Sequence, residues 1–130
     1  MKLHCSSVLV LALGLSPCAF AQAVTPTFDI TGVWNSAGGG TAQIFQKGTR
    51  VTMVFVGPDF AHRYDGRYNK AQVVQGRQVR VTRASGCTTH GRQRYDVVSA
   101  DLIRVTLVAL DSNCDLVKGQ TYTDINTRVW

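Results

Sequence analysis

Apolar and polar residues alternate with a period of two through most of this chain, and turn residues interrupt the alternation about every eight to twelve positions. Over residues 49–56, Val51, Met53 and Phe55 share one face while Arg50, Thr52 and Val54 share the other. A strand with one side on a core and one towards water needs this arrangement. The same pattern predicts strands near 28–35, 41–46, 61–68, 78–83, 94–99, 102–110 and 120–130. In 61–68, His62, Tyr64, Gly66 and Tyr68 fall on one side. In 78–83, Val79 and Val81 are expected inward and Arg80 and Thr82 outward. Gly38-Gly39-Gly40, Lys47-Gly48, Gly57-Pro58-Asp59, Asn69-Lys70, Gln75-Gly76 and Ser99-Ala100-Asp101 read as turns or loops. Residues 85–92 read as a polar loop holding Cys87, and 111–115 as a turn holding Cys114.

About eight strands joined by short connections pair antiparallel. With no helical periodicity, closure into a barrel is the way to remove the sheet edges. The expected fold is therefore all-β: a small antiparallel up-and-down barrel of about eight strands. A barrel of that size is just wide enough to be filled by side chains or to hold one small ligand. Val51, Met53, Phe55, Val79, Val81, Ile103, Val105 and Leu107 are its expected inner residues. Leu102, Thr106 and Val108 form an apolar outer row, which suggests a covered face or a dimer contact, and the expected state is a monomer or weak dimer.

The start of the chain reads differently. Lys2 and His4 precede an apolar run over 8–15, Pro17 breaks it, and Ala19-Phe20-Ala21 supplies small residues for cleavage. This is the pattern of a secretory signal peptide over 1–21, too short in its apolar run to span a bilayer. Residues 22–27 are then a flexible lead-in and 28–130 a single domain. The protein is expected to be exported, periplasmic or secreted. Cys5 and Cys18 leave with the signal, and the remaining Cys87 and Cys114 read as one disulfide.

The chain carries 14 Lys and Arg against 8 acidic residues, all Asp, for a net charge of +6. Without glutamate, glutamate-based zinc proteases and glycosidases are excluded. A positive surface attracts anionic partners. Arg77, Arg83, Arg92 and Arg94, with His90, are expected at strand ends and loops, which would make one rim of the barrel basic. Edge charges that deter strand pairing are the competing explanation. Tyr64, Tyr68 and Tyr95 lie near these arginines, as a nucleic-acid surface would need, but export argues against nucleic acid as the partner.

Catalytic chemistry is thinly supplied. A small enzyme would use His62 with Asp59 or Tyr64, which lie close in sequence. No metal-ligand spacing, phosphate-binding loop or cofactor motif occurs.

Gly32-Val33-Trp34, preceded by Asp29-Ile30-Thr31, resembles the opening strand of the calycin group, lipocalins and avidins among them. The resemblance covers only the two ends of the chain. It implies a tryptophan closing one end of the barrel with a basic residue of the last strand, here Arg128, across its ring. Avidins build their biotin site from several tryptophans, and with only Trp34 and Trp130 in this chain biotin binding is not carried over. The resemblance and the strand pattern point to a non-catalytic binding protein. It would take a small apolar ligand through Trp34, His62, Tyr64, Tyr68 and Arg128, or an anionic or protein partner at the rim. The alternative is an exported inhibitor of a protease or other hydrolase, acting through residues 22–28 and the 38–40 loop.

Overall fold

Eight strands run along residues 21–111 and 114–130, the part of the chain that the computed structural model describes. They are β1 (Gly32–Ser36), β2 (Thr41–Lys47), β3 (Arg50–Val56), β4 (Phe60–Lys70), β5 (Val73–Thr82), β6 (Thr88–Ser99), β7 (Leu102–Ala109) and β8 (Thr121–Arg128). Each pairs antiparallel with the next, and β8 pairs back onto β1 through Trp34↔Arg128 and Asn35↔Thr127, closing the barrel. No described residue lies in a helix. The signal-peptide reading of 1–21 falls, but for Ala21, outside the described residues.

The up-and-down order puts the β1–β2, β3–β4, β5–β6 and β7–β8 connections at one end, the mouth. The other three turns sit at the base, where the chain also enters and leaves the barrel. There Thr27 N–H donates to the Ala71 carbonyl, and Val33 N–H donates to that of Trp130. Val24, within the expected flexible lead-in, packs against the core.

Several boundaries differ from the sequence reading, each for a local reason. The first strand starts at Gly32, and Phe28 instead packs against the base of the core. β4 continues through Asn69 and Lys70, and the turn falls on Ala71-Gln72. Gln75-Gly76 is not a turn: it lies inside β5, where Gly76 stands directly opposite Gly66. A Cβ on Gly76 would come within 2.1 Å of the Asp65 carbonyl oxygen, and one on Gly66 within 2.1 Å of the Tyr64 hydroxyl. Glycine serves here for close backbone approach rather than for chain reversal. The loop expected over 85–92 is shorter, because β6 begins at Thr88.

The main correction concerns the face of β5. Val79 and Val81 point outward and are exposed, whereas Gln78 is buried and Arg80 turns into the barrel. Alternation separates two faces without saying which one is inside. The register set by the Gly66–Gly76 contact puts Val74, Gly76, Gln78 and Arg80 inward.

A smaller apolar cluster of Leu107, Ala109 and Leu116, with Tyr122 against it, lies at the mouth, and the main core is concentrated towards the base. Ile30, Trp34, Ile44, Val51, Tyr64, Val74, Tyr95 and Ile103 are all fully buried there. Trp34 Nε1 donates to the Ile30 carbonyl at 3.0 Å. The Arg128 guanidinium lies 4.7 Å from the indole centroid and donates to the carbonyls of Ala100, Thr31 and Asp29 at 2.7, 2.7 and 2.6 Å. One side chain thus covers the plug and ties the entry of β1 to the β6–β7 turn. At the other end Cys87 and Cys114 form a disulfide, Cα to Cα 5.9 Å, that joins the β5–β6 and β7–β8 connections.

Candidate ligand-binding cavity

Above the paired rings of Tyr64 and Tyr95, whose centroids are 4.6 Å apart, the barrel is no longer filled. A cavity of about 230 Å³ opens to the mouth between Gly38-Gly39 and Tyr122. One wall is aromatic. Phe55 on β3 and Phe60 and His62 on β4 hold three nearly parallel rings, with Phe55 to His62 at 4.8 Å and Phe55 to Phe60 at 5.2 Å. Opposite strands bring amides: Gln78 on β5, Gln93 on β6 and Asn126 on β8, each buried and each lining the cavity. Met53, Val105 and Leu107 supply apolar floor and wall.

Arg80 is the charged member. Its guanidinium lies 3.5 Å from the Phe60 ring centroid and pairs with Asp115, which also accepts from Thr82 Oγ1. Asp115 follows Cys114, so the disulfide holds the counter-ion in place. These contacts let an arginine occupy an inward position that hydropathy assigns to valine. Asp124, also at the mouth, accepts from the Ser36 hydroxyl, from Gly38 N–H and from Ile125 N–H, which pins the glycine loop over the entrance.

Many polar atoms in this half have no partner among the described residues. They include both ring nitrogens of His62, Arg80 Nε, Gln93 Oε1 and Asn126 Oδ1. Each buried group without a partner costs about 1–3 kcal/mol, so the arrangement is expensive unless something in the cavity completes it. Burial, and secondarily the Arg80 charge, pushes the His62 pKa down to about 4. The imidazole is therefore neutral at pH 7 and offers one donor and one acceptor. Burial raises the Tyr64 and Tyr95 hydroxyls well above their ordinary range, so neither is a base at neutral pH.

The residues singled out from the sequence are divided between the two halves. His62 lines the cavity. Trp34 and Arg128 form the base plug, and Tyr68 sits low in the barrel with its hydroxyl 3.4 Å from Gln46 Oε1. Tyr64 is the divider. Asp59 is exposed in the β3–β4 connection and makes no hydrogen bond to His62. Arg77, Arg92 and Arg94 are not at a rim: they stand mid-strand on the outer flank. Arg83 is at the mouth, donating to the Gly57 carbonyl, and His90 pairs with Asp111 at 2.8 Å. Among the described residues, no group of His, Cys, Asp or Glu is placed to hold a metal ion.

Gln78, Arg80, Gln93, Asp124 and Asn126 escaped the sequence reading. Their signal was polarity in phase with a buried row: Gln78 and Arg80 follow Val74, and Gln93 precedes Tyr95 and Val97 at the same parity. Compared with protein-family models, curated proteins and solved structures, the chain matches none of them.

Proposed function

We propose that this is an exported, non-catalytic binding protein with a calycin-like barrel, which takes one small uncharged ligand into its mouth. The observation that carries the reading is the half-filled barrel, with a cavity lined by buried polar atoms that lack partners. The Trp34–Arg128 plug supports the calycin-like part and the disulfide supports export. At about 230 Å³ the cavity is smaller than the ~300–1,000 Å³ typical of small-molecule sites. Its occupant is accordingly small.

Arg80 is neutralised by Asp115, Asp124 is held by the Ser36 hydroxyl and backbone N–H groups, and His62 is neutral. An anionic ligand would bury its charge near the Asp124 carboxylate, with Arg80 already paired, which is costly. A purely apolar one would leave the amides unsatisfied. A flat, uncharged molecule with donors and acceptors at its edges satisfies both conditions. This shifts the expectation away from a simple apolar ligand. The inhibitor alternative is less favoured, because Thr27 and Val24 anchor the 22–27 segment at the base.

The test compares three probes of nearly equal size by native mass spectrometry and thermal shift: benzamide, benzoate and toluene. Benzamide is expected to bind best, and Asn126→Leu to abolish its binding. Preference for benzoate or toluene overturns the ligand class. A chain that retains no small molecule when purified from its host and takes up none of the three overturns the cavity reading itself.

A further inference from the structure

The outer flank of β3–β6 poses a separate problem. A closed barrel has no edge on these strands, so arginines that would guard an edge have nothing to guard. Cross-strand register sorts the flank into rows. Nearest the mouth are Val56–Ala61–Val81 and Val54–Arg63–Val79. Below them come Thr52–Asp65–Arg77–Arg92 and Arg50–Arg67–Gln75–Arg94. Asp65 is engaged by Arg50 and Asp96 by Arg94, each at 2.6 Å. Arg63, Arg67, Arg77 and Arg92 have no ion pair among the described residues.

Two features of these rows go beyond what solubility asks for. Arg77 and Arg92 stand directly opposite each other, and facing like charges destabilise a sheet. A shallow groove runs beside them, bounded by Gln75, Arg94, Thr106 and Val108. Next to the arginines, Val54, Val56, Val79 and Val81 are 52, 51, 42 and 42 % exposed. Four half-exposed valines in adjoining rows form a patch rather than scattered apolar positions.

We propose that this flank is a docking surface for an anionic lipid membrane, with the valine rows entering the interface and the arginine rows meeting lipid phosphates. Arginine matches phosphate oxygens in a planar fork. A polymer reader would be built otherwise: bases are stacked on several aromatic side chains, whereas the outward positions of β3 to β6 hold no Phe, Tyr or Trp and the one exposed ring beside the rows is Phe45, opposite Thr52 on β2. Aliphatic side chains beside a basic cluster are the composition of an interfacial surface instead.

The experiment is co-sedimentation of the mature protein with vesicles of phosphatidylglycerol mixed into phosphatidylcholine, and with phosphatidylcholine alone. Binding is expected to the anionic vesicles only and to weaken as salt is raised. Each arginine removed is expected to weaken it about fivefold, so Arg77→Gln with Arg92→Gln should cost about 25-fold. That double variant removes a like-charge pair and should fold at least as well as the parent, which its thermal melt checks. Val79→Ser with Val81→Ser should weaken binding at constant charge. Three results would overturn the proposal: equal binding to uncharged vesicles, no effect of the double arginine variant, or no vesicle binding at all. Retention on heparin without vesicle binding would reassign the surface to a soluble polyanion.

Discussion

At the base, Trp34, Tyr64, Tyr95 and their aliphatic neighbours fill the barrel, the indole N–H is bonded, and Arg128 makes three hydrogen bonds to main-chain carbonyls. At the mouth the same strands carry His62, Gln78, Arg80, Gln93 and Asn126 inward around a void, several of their polar atoms without partners. The first half is optimised for burial and the second gives burial up. The stability lost there is supplied by the base plug and by the disulfide across the mouth.

The largest expected effect comes from breaking the well-packed half. Trp34→Ala should cost about 3–5 kcal/mol in denaturant unfolding, with the cavity residues untouched. A loss below about 1 kcal/mol would mean the plug is not what holds the base.

The next test acts through protons. An unfolded histidine titrates near 6.5, while His62 in the fold titrates at about 4. The folded state resists the proton, so the contribution of neutral His62 is complete above pH 6.5 and is lost as pH falls towards 4. The expected loss is on the order of 3 kcal/mol. His62→Phe keeps an aromatic ring beside Phe55 and removes the titration. The difference between the two proteins at pH 7, 5.5 and 4 isolates the histidine from the carboxylates, and parallel curves would show that it carries no such burden.

The smallest change in stability is expected at the mouth. Asn126→Leu replaces an amide without a partner by an apolar side chain, and should leave stability within about 1 kcal/mol of the parent or raise it. A loss above about 2 kcal/mol would make Asn126 a structural member of the core and erase the contrast between the halves.

The same contrast governs what the sequence made legible. At the base, hydropathy and burial agree: Val51 points inward as its alternation says, and Gly32-Val33-Trp34 with Arg128 marks the strands that meet. At the mouth they disagree. Val79 and Val81 are more apolar than Gln78 and Arg80, so a reading by hydropathy turns β5 inside out. The deciding contact, Gly66 against Gly76, is long-range, and in sequence Gln75-Gly76 looks like a turn. The basic flank was misplaced for the same reason: once β5 and β6 are lengthened to their true spans, Arg77, Arg92 and Arg94 leave the loops for the middle of the sheet.

The Arg128 junction also constrains the order of events in folding. Its hydrogen bonds to Asp29 and Thr31 close sequence separations of 99 and 97 residues, and β1 has no partner on one side until β8 arrives. Contacts of such long span are slow to form. Barrel closure is thus a whole-chain event: the earliest strand to be made waits, one edge open, for the latest.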